Sequence, residues 1–214
     1  MAGDRALTSG DVLRLCIDTR QDFTQLLPWQ QKAAVRAQSS LNAMVTRGHL
    51  DLRQCKRMFE FGAGTGGASF VLARLALLNG GTVEVAELEP EHADHIVQSQ
   101  ILPPESVHVG DGVNRLRQLA RVGKKFDLLA AFMFGPDYFG HNIKRLLPAA
   151  GEALDNGGKL LVSSDPQTME AVRTVCSDRG IEFGNYHPFI EQGFHSNQPD
   201  RVDTVVIPRS NLPF

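Results

Sequence analysis

One stretch constrains this chain more than any other: Met58-Phe59-Glu60-Phe61-Gly62-Ala63-Gly64-Thr65-Gly66-Gly67. An apolar run interrupted by one acid leads straight into a glycine-rich segment, and residues 68–78 follow with the apolar content and length of a packed helix. The order predicts a strand, a turn with no room for side chains, and a helix. In such a turn glycines take φ > 0 and let a ligand come close to the backbone. The helix behind it offers free N–H groups to that ligand. A nucleotide-like ligand is implied, and the neighbouring acids decide which.

Two spacings compete. Gly62, Gly64 and Gly67 satisfy G-x-G-x-x-G, a weak dinucleotide signal when alone. Gly62, Gly64 and Gly66, with Glu60 two residues ahead of the first glycine, resemble motif I of the class I S-adenosylmethionine-dependent methyltransferases. A dinucleotide lays a pyrophosphate over the turn, which a carboxylate would repel. S-adenosylmethionine brings a cationic sulfonium and an α-ammonium, which the same carboxylate attracts. Glu60 therefore favours the second reading.

The resemblance extends downstream. Gly80-Gly81 closes the helix, and residues 82–90 read as a second strand stopped by Pro90. Glu87 falls about 20 residues beyond the turn, where an acid hydrogen-bonds a ribose diol. A third strand, residues 107–109, runs into Gly110-Asp111-Gly112; a fourth covers 126–132. A fifth, residues 157–163, follows Leu154-Asp155-Asn156 in the family's leucine–acid–x–glycine–glycine pattern, whose glycines are expected to close the preceding helix. These matches run from residue 58 to 163, about half the chain. The resemblance implies that Asp111 takes the adenine amino group and that Leu88 and Val113 flank the base. The implied cofactor set is Glu60, Gly62, Ala63, Gly64, Gly66, Glu87, Leu88, Asp111, Gly112, Val113 and Phe132.

The chain of 214 residues is 42% hydrophobic and 21% charged, ordinary values for one globular unit. No run reaches transmembrane length, and the first residues lack the apolar centre of a signal peptide. Cys16, Cys55 and Cys176 are scattered and outside metal-ligand spacing, so packing in a reduced cytoplasmic setting is expected, and no metal. Net charge is −2 without a basic run, which argues against a nucleic-acid acceptor. Arginine far outnumbers lysine, as in GC-rich bacterial genomes. Expected partners are a small-molecule acceptor and at most a second copy of the chain, as a homodimer, with no membrane.

Residues 1–52 read as an N-terminal helical segment, cap or lid, before a cofactor-binding domain over 53–214. Thr8-Ser9-Gly10-Asp11 can open a first helix; Pro28 breaks it and opens a second, from Trp29 to about Arg47. Trp29 and Gln30 are lid candidates, and helices that simply extend the core are an equal alternative. Towards the C-terminus, 166–179 reads as a helix, 181–187 as strand six and 202–207 as strand seven. The intervening loop is too short for a crossover helix, so the last two strands should be antiparallel. The expected fold is α/β: a single Rossmann-like class I methyltransferase domain. Its mostly parallel seven-stranded sheet has order 3-2-1-4-5-7-6 with strand seven antiparallel, and helices on both faces.

Loops at the carboxyl edge, 133–142, 163–168 and 187–200, nominate the acceptor side. Methyl transfer needs alignment above all, and a hydroxyl acceptor also needs a base, for which histidine suits. His141, His195 and Asp137 are the candidate catalytic residues. Phe134-Gly135-Pro136-Asp137-Tyr138 lacks the Asn/Asp-Pro-Pro-Tyr/Phe pattern of the nucleic-acid and protein amino-methylating enzymes. Phe132 and Met133 replace the strand-four aspartate of metal-dependent catechol-type enzymes, and Asp165 is followed by proline. The resemblance thus implies a small-molecule O- or N-methyltransferase. Three alternatives stay open: an aminopropyltransferase of the spermidine synthase type, an NAD-dependent oxidoreductase, and a non-catalytic subunit of the same fold.

Overall fold

The computed structural model describes residues 24–132, 136–183, 187–191 and 200–213, with backbone alone for 136–141, 187–191 and 200–202. Seven strands form one sheet: β1 Arg57–Phe61, β2 Thr82–Glu87, β3 Val107–Val109, β4 Phe126–Phe132, β5 Leu154–Ser164, β6 His187–Glu191 and β7 Asp200–Pro208. Their order is β3-β2-β1-β4-β5-β7-β6. β1 to β5 pair in parallel, and β7 is antiparallel to both neighbours. The helices are α1 Pro28–Thr46, α2 Gly67–Leu78, α3 Pro90–Gln98, α4 Gly112–Arg121, α5 Pro136–Ala153 and α6 Pro166–Asp178. This is the expected fold class and strand order.

The strands carry apolar residues on both faces because both faces are covered. Met58, Val83, Val85, Leu128, Ala130 and Phe132 face a core shared with α1 and α2. Phe59, Phe61, Ala86, Leu129 and Ala131 face the opposite core, under α4, α5 and α6. Phe59 stacks edge-on against Phe61 and Phe126, with centroids 4.9 and 5.5 Å away. Alternation along β1 therefore puts Glu60 on the α1/α2 side. α1 belongs to that core too: Ala34, Ala37, Leu41 and Met44 are fully buried in it.

Several boundaries differ from the expectation, each for a local reason. β5 starts directly after α5, so Gly157 and Gly158 do not cap a helix; they lie inside an irregular strand start. Gly157 has φ +85°, and a Cβ on Gly158 would stand 2.9 Å from the Phe126 carbonyl oxygen. The stretch expected as a loop over 133–142 is helical from Pro136, which opens α5 with its preset φ. β2 ends at Glu87, and Glu89 stands at the start of α3. Strand six lies later than expected, at His187–Glu191. The helix expected near residue 8 falls outside the described residues.

Candidate cofactor site

The glycine turn joins β1 to α2 at the carboxyl edge of the sheet. Gly62, Gly64 and Gly66 all have left-handed backbone, with φ of +56°, +54° and +90°. Any other residue there would be strained. Gly67 differs: a Cβ on it would stand 2.4 Å from the Gln30 carbonyl oxygen and 2.6 Å from the Ala33 Cβ. The fourth glycine thus exists because α1 crosses the start of α2, and the turn proper uses the 62-64-66 spacing. Among the described residues nothing lies within 4 Å of where a Gly64 Cβ would be, and the turn is open to them there.

Donors and acceptors hold the turn in shape. Gly62 and Ala63 donate to the Ala86 carbonyl at 2.8 and 3.3 Å. Gly64 N–H donates to Glu87 Oε2 at 2.6 Å, and Glu89 N–H to Glu87 Oε1 at 3.0 Å. Gln30, buried in α1, donates from Nε2 to the Thr65 carbonyl at 2.5 Å and accepts the Leu27 N–H at 2.9 Å. Glu87 at the end of β2 is thus already bonded to the turn it was expected to complement.

Glu60 lies beneath the turn rather than at its mouth. It is 1% exposed, and its Oε2 accepts the Ser69 hydroxyl proton at 2.6 Å. Burial raises its carboxyl pKa to about 8; the Ser69 bond opposes the shift and the nearby Glu87 charge adds to it. Raised so far, the carboxyl keeps its proton at neutral pH, and its burial keeps it off the surface of the turn. Ser69 was missed in the sequence; its only signal was a hydroxyl residue inside an apolar helix run.

At the base end, Asp111 caps α4, its Oδ1 accepting the Asn114 N–H at 2.8 Å. Its Oδ2 accepts from Arg145 Nη1 at 3.1 Å, a residue no local pattern had singled out. Gly112 is pressed against Phe61 and Ala86, where a Cβ would meet atoms at 3.0 and 3.2 Å. Val113, Phe132 and Ala63 are buried, whereas Leu88 is 51% exposed beside Glu87.

The proposed catalytic residues are described only in part. Asp137 and His141 lie on the first two turns of α5, just beyond the carboxyl end of β4; their side chains are not described. His195 lies outside the described residues. Among the described residues no group of three His, Cys, Asp or Glu could hold a metal ion, and no helix is long and apolar enough to cross a membrane. Cys55 and Cys176 are buried, which raises their thiols to about 12 and about 11, so neither is a ready nucleophile. A groove of about 790 Å³ between α2 and the α3–β3 connection opens at Gly81–Val83, the other end of β2 from Glu87. The chemistry of the turn, not this volume, marks the site.

No protein-family model matches the chain, and no curated protein matches it. Solved structures do. A putative O-methyltransferase from Klebsiella pneumoniae is 19% identical, with 92% of this chain and 89% of that one covered and a TM-score of 0.56. The O-methyltransferase TomG from Streptomyces achromogenes, involved in tomaymycin synthesis and solved with S-adenosylmethionine, is also 19% identical, over 95% and 92%, with a TM-score of 0.56. The fibrillarin pre-rRNA processing protein of Methanococcus jannaschii is 16% identical, over 74% and 68%, with a TM-score of 0.54. Sheet order, antiparallel β7 and the glycine turn agree with these likenesses: the chain has the fold of the class I S-adenosylmethionine-dependent methyltransferases.

Proposed function

We propose that the chain transfers the methyl group of S-adenosylmethionine to a small-molecule oxygen or nitrogen. The observation that carries this is Glu87 at the glycine turn, its carboxyl bonded to the Gly64 N–H, with the buried Glu60 carboxyl beneath. An acid bonded into the turn crowds a diphosphate and suits a ligand that brings ribose hydroxyls and a cationic sulfonium. In the bound state Glu87 would accept from the ribose hydroxyls, each oxygen having a lone pair beyond its present backbone bond. The turn and the α2 N-terminus would hold the methionine end. Asp111, Val113 and Leu88 would frame the base.

In the reaction the acceptor's lone pair attacks the methyl carbon in line with the C–S bond. That bond's electrons pass to sulfur, which becomes neutral, and the acceptor loses a proton. The turn positions the sulfur; α5, starting at the carboxyl end of β4, brings Asp137 and His141 to the acceptor side. A histidine would take the proton from a hydroxyl acceptor, while a neutral amine needs orientation only. The O-methyltransferase likenesses cover nearly the whole chain and favour a small acceptor. The fibrillarin likeness covers less of it, and the net charge of −2 offers no general attraction to RNA.

The domain reading becomes part of this proposal: residues 1–52 shape the acceptor side over a cofactor-binding unit at 53–214. Gln30 supports it by tying α1 to the turn. The test is incubation with methyl-labelled S-adenosylmethionine and panels of hydroxylated and amine metabolites. Label in a small product is expected. Cofactor binding with no transfer to any acceptor, RNA included, would favour the non-catalytic alternative.

A further inference from the structure

We propose that Arg145 sets base specificity at this edge, by fixing the Asp111 carboxylate as an acceptor for the 6-amino group of adenine. The proposal rests on the cofactor reading above. Asp111 is held at two points: Oδ1 by the Asn114 N–H at 2.8 Å, Oδ2 by Arg145 Nη1 at 3.1 Å. Arg145 is held in turn, Nη1 by Asn142 Oδ1 at 2.9 Å and Nη2 by Asn114 Oδ1 at 3.1 Å. The guanidinium fork thus spans α4 and its own helix α5, and the carboxylate cannot rotate without breaking a bond. Each carboxylate oxygen accepts two hydrogen bonds, so both retain an acceptor direction beyond those used here.

An ionised carboxylate only accepts. An amino group at the base 6-position meets it favourably. A 6-oxo group sets acceptor against acceptor. The side chains of Arg145 and Asp111 are 41% and 31% exposed, so the pair adds little to fold stability. A network with two asparagines built around so weak a pair makes better sense as orientation. Lysine at 145 would keep the charge without the fork that holds Asp111 and both asparagines together.

The test measures affinity of the full chain for S-adenosylhomocysteine and for its 6-oxo, inosine-type analogue by calorimetry. The unaltered protein should prefer the adenine compound about 10- to 100-fold, the range of one charge-assisted hydrogen bond. Arg145→Ala and Arg145→Lys should bring that preference to within about threefold, since the fork is gone in both. In an Asp111→Ala background, Arg145→Ala should leave the ratio where Asp111→Ala alone puts it. If Arg145→Ala does not fold, Arg145→Lys and Asn142→Ala carry the test, the latter lowering the ratio in part. A variant that weakens both ligands equally, with the ratio intact, would reveal a structural role and overturn the proposal. An unaltered chain that binds the adenine compound without discriminating would do so too. A chain that binds neither removes the cofactor reading and this inference with it.

Discussion

The two halves of the carboxyl edge are held together in different ways. Around the glycine turn the contacts are between backbone and neighbouring acids: Glu87 takes the Gly64 and Glu89 N–H groups, and Asp111 caps its own helix. At the end of β5 the contacts run from side chain to side chain across distant segments. Ser163 Oγ lies 2.7 Å from Ser40 Oγ of α1 and 3.0 Å from Thr204 Oγ1 of β7, all three buried. Asp203 is buried beside Arg173, at 3.6 Å. The first half is a preset turn, open at Gly64; the second ties α1 and the antiparallel strand to the sheet. Cofactor binding should therefore depend on a few local residues, and acceptor choice on how distant elements meet.

The largest expected effect is on the cradle. Gly64→Val puts a branched side chain where φ is +54° and where no described residue lies within 4 Å. Affinity for S-adenosylhomocysteine should fall at least about 100-fold, roughly 2.7 kcal/mol, while circular dichroism shows the fold kept. Unchanged affinity would move the site elsewhere.

Next come the proposed bases. His141→Ala or His195→Ala should cut turnover on a hydroxyl acceptor about 10²- to 10⁴-fold, with cofactor affinity untouched in the same preparation. A parallel loss of affinity would erase the division between the halves.

The cradle was legible for the same reason it is local. The strand–turn–helix at 57–78, the acid at 87 and the Asp111 cap each follow from residues adjacent in the chain. Strand order was legible through the family pattern those residues carry. Arg145 was not, because its role exists only once α5 packs beside α4. Gly67 reads as part of the ligand turn until α1 is seen crossing it. Gly157-Gly158 has the composition of a helix stop, yet the chain enters the sheet at once and the glycines absorb the irregular register.

A smaller effect is expected at Glu87. Glu87→Ala removes the proposed ribose acceptor and frees the Gly64 N–H, and should weaken binding by about 1.5–3 kcal/mol. Calorimetry with adenosine beside S-adenosylhomocysteine sharpens the point: both ligands should lose similarly, since both carry the ribose.

A separate effect, on stability rather than on binding, concerns pH. Glu60 is raised from 4.5 to about 8 by burial, so between these values the unfolded chain has released a proton that the folded chain retains. Stability of the free protein should then fall as pH rises from about 4.5 to 8, and level off above, as far as this group is concerned. Glu60→Gln should flatten that slope in thermal unfolding scans. A slope unchanged by the substitution would mean that Glu60 is ionised in the folded state throughout.

The account turns on what the glycine turn holds, and parallel calorimetric titrations of the intact protein with S-adenosylhomocysteine and with NAD test that most directly. Saturable binding of S-adenosylhomocysteine, lost in Gly64→Val, with no heat from NAD, is the predicted result. Saturable NAD binding that the same substitution abolishes, with S-adenosylhomocysteine inert, would contradict it.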